Sequence, residues 1–137
     1  MDQNEMAAAL DSGFGKLIGI EFTEVTADRV RAHYTITPQL LQPWGIVHGG
    51  VHCSVVETLA SVAGQVLLGD RGNVVGVNNS TDFLRASRDG RLEAEALPIH
   101  RGRSQQLWVV TITDEDSRMI ARGQVRLQNI TETATIG

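Results

Sequence analysis

One run, GGVHCSVVETLASVAGQVLLG at positions 49–69, constrains the fold of this chain more than any other segment. Val51, Val55, Leu59, Val62 and Val66 recur at helical spacing and form a stripe, and Gly69 is the expected stop. Valine is not favoured in helices intrinsically, because its branched β-carbon is restricted against the preceding turn. A helix of this composition has to be held by burial on most of its sides. The expectation is a central helix wrapped by a sheet.

The flanking sequence supplies the sheet. In RVRAHYTIT (29–37), Val30, Ala32, Tyr34 and Ile36 point one way, and Arg29, Arg31, His33 and Thr35 the other. That period of two marks a half-buried strand. Ile18–Val25 is its expected partner across the TAD turn, and Pro38 ends the pair. Further strands are expected at 74–85, 91–99, 105–113 and 119–128, with SRDG, RGRS and DEDSR as turns. Leu92, Ala94 and Ala96 alternate with Glu93 and Glu95; Ala121, Gly123, Val125 and Leu127 alternate with Ile120, Arg122, Gln124 and Arg126. NEMAAALDSG reads as a short helix capped by Asn4 and stopped by Gly13. No βαβ pattern occurs. The fold class is therefore α+β, a single domain over 1–137 with one antiparallel sheet curled around one long helix.

Composition excludes some functions. The net charge is −4 with no basic block, which argues against nucleic acid as a partner. With two Trp, one Tyr and three Phe, the core has to be built from Val, Ile, Leu and Ala. Cys53 is the only cysteine, so no internal disulfide can form, as suits a reducing compartment. No secretory signal follows Met1, no apolar stretch is read as long enough to span a bilayer, and the cytoplasm is the expected location.

The apolar run carries one acid, Glu57. On a helix it shares a face with Gly50, Ser54, Ser61 and Gly64, a lane of small side chains turned away from the valines. A helix starting near Gly49 and Gly50 presents unpaired N–H groups and the positive end of its dipole there. Glycine lets a substrate approach that backbone closely. Such N–H groups can stabilise an oxyanion, at roughly 3 kcal/mol per donor. The carboxylate two turns inward could act as nucleophile or general base towards an acyl carbon.

The stretch WGIVHGGVHCSVVETLAS resembles the hotdog-fold acyl-CoA thioesterases of the PaaI-like, 4-hydroxybenzoyl-CoA thioesterase type, over about residues 10–130. In that family a glutamine lies six residues before His-Gly-Gly, an acid nine after the histidine and a Ser or Thr four further on. Gln42, His48, Glu57 and Ser61 stand at those spacings. The resemblance implies a hotdog fold with Glu57 as the catalytic carboxylate and the Gly49 N–H on the thioester carbonyl. His48 and Gln42 would orient the thioester or assist the leaving thiolate, and Ser61 would position water or Glu57. Gly50 would join the substrate site. The strand end Phe83, Leu84, Arg85 and the turn His100, Arg101, Gly102, Arg103, Ser104 would line the groove for pantetheine and nucleotide, with the arginines reading phosphate. Members of the family often carry a histidine before the arginine of this strand; Phe83 and Leu84 here imply a more apolar acyl pocket.

The same residues admit other readings. HGG could be only a helix start, Glu57 a structural acid, and Arg101 a solvated turn residue. His48, His52 and Cys53 suggest a metal, but no third ligand follows at a fitting distance, so no metal is expected. His52 reads as a packed residue and Cys53 as a small core residue. The expected activity is hydrolysis of an aryl or medium-chain acyl-CoA thioester, without cofactor, by a homodimer or homotetramer. The alternatives are an acyl-CoA-binding hotdog protein without turnover, and a hotdog hydratase or dehydratase.

Overall fold

The structure is a computed structural model and describes residues 3–131. Two short helices, α1 (Gln3–Leu10) and α2 (Gly13–Ile18), precede strands β1 (Glu21–Val25) and β2 (Val30–Thr35). The long helix α3 (Gly49–Leu68) follows, then β3 (Gly72–Phe83), β4 (Arg91–Arg101), β5 (Gln105–Thr113) and β6 (Met119–Thr131). The six strands form one sheet in the order β1-β2-β4-β5-β6-β3, every neighbouring pair antiparallel. The sheet curls around α3, which is the hotdog architecture.

The alternation read from the sequence sets the inner face. Val30, Ala32 and Tyr34 of β2, with Leu92, Ala94 and Ala96 of β4, are buried, as are Trp108, Val110 and Ile112 of β5 and Val125 and Leu127 of β6. Val55, Val56, Leu59, Ala60 and Ala63 of α3 are buried against them. Each fully buried Val or Leu contributes about 1.5–3 kcal/mol. Ala32 pairs with Ala94 across the β2–β4 ladder, and both lie on the buried face.

Several local expectations are corrected. Asn4 lies inside α1 rather than capping it, and Gly13 opens α2, which the sequence reading did not anticipate. The Gly19 N–H closes α2 on the carbonyls of Gly15 and Lys16 with φ +94°, a conformation that favours glycine. Ile18 thus belongs to α2, and β1 begins only at Glu21. The buried face of α3 runs through His52, Val55, Val56, Leu59, Ala60, Ala63 and Gly64, while Val51 and Val62 are only partly buried. It is rotated from the valine stripe towards Ala60, Ala63 and Gly64, and at Gly64 a Cβ would run into Leu127 of β6. Ile120, expected on the outer face, is 1% exposed, because the β5–β6 register slips there and turns it inward. Residues 49–71 do have the length and hydropathy of a membrane span, against the sequence reading; here they include the sheet-wrapped core helix. β3 lies at a sheet edge, with Val77 49% exposed.

Candidate active site

The loop before α3 is tightly tied. Gln42 N–H donates to the Ile46 carbonyl at 2.8 Å, the Gly45 N–H to the Gln42 carbonyl at 2.9 Å, and the Trp44 N–H to Gln42 Oε1. Arg88 donates to the carbonyls of Trp44 and Gly45. This holds the side-chain oxygen of Gln42 within the loop.

His48 is extended and caps α3, its Nδ1 accepting from the Gly50 N–H at 2.8 Å. The Gly50 donor is therefore used inside the protein. The Gly49 N–H has no hydrogen-bond partner among the described residues. Gly49 is also where a side chain would not fit, since a Cβ would lie 2.7 Å from the Phe83 ring.

Gln42, Gly49, Phe83, Leu84 and Arg85 line one open pocket of about 360 Å³. Arg85 is set by a carbonyl that the β6 bulge turns towards it: Ile120 O accepts from both the Leu84 and the Arg85 N–H. Arg85 makes no ion pair among the described residues. His48 is exposed at the pocket's margin and does not line it.

His52 also faces this pocket, a role the sequence reading did not give it. Its place one turn after Gly49 was the available signal. It is 4% exposed, its Nδ1 lies 3.5 Å from the Tyr34 hydroxyl, and its ring centroid is 5.9 Å from that of Phe83. Burial pushes the imidazole below its ordinary pKa and the Tyr34 phenol above its own.

Glu57 is half-buried and makes no ion pair among the described residues. Asn79 of β3 donates to its Oε1 at 3.2 Å and to the Cys53 carbonyl at 3.0 Å. The Thr81 hydroxyl donates to Asn79 Oδ1 at 2.7 Å and fixes which way the amide faces. Asn79 was missed as well; a polar residue within a strand beside the acid-bearing helix was its only signal. Gly76 leaves the space that the Glu57 carboxylate fills.

Within one chain these groups do not all meet. Glu57 lies eight residues beyond Gly49, about 12 Å along the helix axis, and does not line the Gln42–Gly49 pocket. Ser61 opens instead, with Thr58, Met6, Leu10 and Phe22, into a separate cavity of about 280 Å³. The turn 100–104 is at the opposite end of the sheet from Arg85. Phe83 pairs with Ala121 and Gln106 with Leu127, a separation of about 20 Å along β6. The two arginine groups expected to share a groove are thus apart in the single chain. Arg101 binds Asp28 at 2.8 Å and the Ala27 carbonyl at 3.1 Å, so it ties the turn to the β1–β2 hairpin. Arg103 is exposed, without an ion pair among the described residues, and His100 packs beside Gly102. Among the described residues no three His, Cys, Asp or Glu side chains are grouped to hold a metal ion.

The chain is similar to known proteins of one family. Residues 45–121 match the thioesterase superfamily. A Mycobacterium tuberculosis protein named as an esterase is 52% identical over 120 residues, covering 85% of this chain and 86% of its own. The 1,4-dihydroxy-2-naphthoyl-CoA hydrolase of Escherichia coli is 31% identical over 110 residues, covering 78% and 81%. Among solved structures, AziG of S. sahachiroi superposes with a TM-score of 0.86 at 50% identity, over 88% of this chain and 98% of that one. The Escherichia coli PaaI protein shares the fold with a TM-score of 0.83 at 23% identity, over 93% and 91%.

Proposed function

Because the chain belongs to the thioesterase superfamily and is a thioester hydrolase acting on acyl-CoA, we propose that it cleaves aryl or medium-chain acyl-CoA with Glu57 as the reactive carboxylate. The observation that carries this reading is that, among the described residues, the Gly49 N–H in a pocket with Gln42 and Arg85 has no hydrogen-bond partner and the half-buried Glu57 carboxylate has no cation beside it. The apolar Phe83 and Leu84 on the pocket suit an aromatic or aliphatic acyl group.

The separation of Glu57 from Gly49 supports a site completed by a second copy, Glu57 of one chain facing the Gly49 pocket of the other. The exposed edge of β3 gives such a copy a strand to pair with. A homodimer or homotetramer in the cytoplasm is the proposed form.

In this reading the thioester carbonyl oxygen accepts from the Gly49 N–H, which stabilises the negative charge that develops there. Gln42, held by its own loop, and His48 orient the thioester. As general base, Glu57 takes a proton from water while the water oxygen bonds to the acyl carbon; as nucleophile, it forms a mixed anhydride that water then opens. In both routes the carbon–sulfur bond breaks, the sulfur leaves as CoA thiolate and is protonated, and the acyl group departs as a carboxylate. Ser61, one turn beyond Glu57 on α3, is the proposed group to orient water or the carboxylate. Arg85 and Arg103 are the proposed phosphate readers; Gly50, His100, Arg101, Gly102 and Ser104 are the remaining proposed substrate contacts. No cofactor enters the reaction.

The test is thiol release from a panel of aryl and aliphatic CoA thioesters. Glu57→Ala is expected to lower kcat by about 10²–10⁴-fold while calorimetry still registers acyl-CoA binding. A kcat near that of the unsubstituted protein overturns the assignment. Absence of thiol release from every thioester favours a binding module, and a change in enoyl absorbance favours a hydratase.

A further inference from the structure

Two turns of α3 beyond Glu57, the protein holds a buried polar network that the reading above does not use. Asn129 of β6 is 2% exposed and Gln106 of β5 is 1% exposed. Gln106 Nε2 donates to Asn129 Oδ1 at 2.8 Å and to the Gly64 carbonyl of α3 at 3.3 Å, and the Trp108 indole donates to Gln106 Oε1 at 2.8 Å. Asn129 then holds the β4–β5 turn. Its Nδ2 donates to the carbonyls of Gly102 (3.2 Å) and Arg103 (3.0 Å), and its backbone N–H to that of Ser104 (2.9 Å). Three successive carbonyls of the turn are thus gathered on one residue. Buried amides are costly unless fully paired, and these are fully paired.

A hairpin of this length closes without such a network: the Gly102 N–H already bonds the Gln105 carbonyl at 2.9 Å. What the network adds is orientation. With its carbonyls turned inward to Asn129, the turn leaves the Arg103 side chain exposed. Arg101, the other guanidinium of the turn, is tied back to Asp28, so Arg103 is the cation the turn presents. We propose that Asn129 is a positioning residue for CoA recognition, holding the 102–104 turn so that Arg103 meets the phosphates of the nucleotide. This rests on the reading above in which Arg103 contacts CoA.

The experiment compares two substrates with the same acyl thioester, an acyl-CoA and the corresponding acyl-pantetheine, which lacks the nucleotide. Arg103→Ala is expected to raise KM for acyl-CoA by about tenfold, the scale of one lost charged hydrogen bond, and to leave acyl-pantetheine unchanged. Asn129→Ala is expected to raise KM for acyl-CoA several-fold, with kcat and the acyl-pantetheine kinetics within about twofold of the unsubstituted enzyme. The double variant is expected to be no worse than Arg103→Ala alone, since both remove one contact. Asn129→Ser, whose hydroxyl can still accept from Gln106 but offers the turn one shorter donor in place of two, carries the same comparison if the alanine variant does not fold. Equal losses on both substrates, or additive effects with Arg103→Ala, overturn the positioning role and leave a purely structural one. An Arg103→Ala variant with unchanged KM for acyl-CoA overturns the Arg103 contact itself, while thiol release and its dependence on Glu57 stand apart from both results.

Discussion

The Asn79 amide donates to Glu57 Oε1 at 3.2 Å and is itself held by the Thr81 hydroxyl and the Cys53 carbonyl, so a strand residue fixes the rotamer of the helix acid. Removing that donor frees the carboxylate without touching the core. Asn79→Ala is expected to lower kcat by about tenfold or more, the range of a hydrogen bond to a charged group. The thermal midpoint should move little, because Asn79 is only partly buried. Steady-state kinetics beside a melting curve check the split; an unchanged kcat would show that Glu57 is placed by other contacts.

Gly76 offers a second way to move the same carboxylate. A Cβ there would run into Glu57 Oε2, the far end of a flexible side chain. The side chain can rotate away, so Gly76→Ala should cost under about 1 kcal/mol of stability, less than a rigid overpacked core would. Turnover should fall by about a hundredfold, because a displacement of about 1 Å is enough to spoil a reacting geometry. Denaturant unfolding and kcat measured on one preparation give both numbers.

At the helix start the tight contact is between Gly49 and Phe83. A Cβ on residue 49 would sit 2.7 and 2.8 Å from two ring carbons, so Gly49→Ala has to displace the ring into the pocket. The expected loss in kcat/KM is about tenfold to a hundredfold. Adding Phe83→Ala to Gly49→Ala should recover part of it, since the clash is then gone and the residue 49 N–H is still present. A double-mutant cycle with additive losses would rule this clash out as the cause.

What the sequence made legible follows from periodicity and spacing. The alternation of Val30, Ala32 and Tyr34, and of Leu92, Ala94 and Ala96, reports directly which face meets the core, and these residues are buried. Gln42 and Gly49 are singled out by the motif and Arg85 by the resemblance of its strand end, and all three line one pocket. Asn79 and His52 do not stand out in the sequence because nothing local distinguishes a polar side chain that meets another element from one that meets water; only the packing of β3 against α3 decides it. The same limit explains the turn 100–104. Strand order, not strand identity, puts it about 20 Å from Arg85, and strand order is absent from any local pattern. Ile120 was misplaced because a bulge reverses the alternation within one residue.

His52 gives the protein a pH dependence of stability whose sign is fixed by its setting. The imidazole is buried between the Tyr34 hydroxyl and the Phe83 ring, and burial holds its pKa below the value of about 6.5 expected in the unfolded chain. Between the two values the unfolded state binds more protons than the folded one, so stability rises with pH across that window. The contribution is complete above about pH 6.5 and is lost as pH falls through the lower, folded value, at a limiting slope of about 1.4 kcal/mol per pH unit. His52→Gln keeps a polar group beside Tyr34 but cannot titrate. Its thermal midpoint is therefore expected to fall less than that of the unsubstituted protein between pH 7.5 and pH 5. Because His33, His48, His100 and the carboxylates are common to both, the difference between the two curves isolates His52. Parallel curves would mean that the ring protonates in place, with the cavity around Tyr34 and Phe83 admitting enough water to solvate the charge.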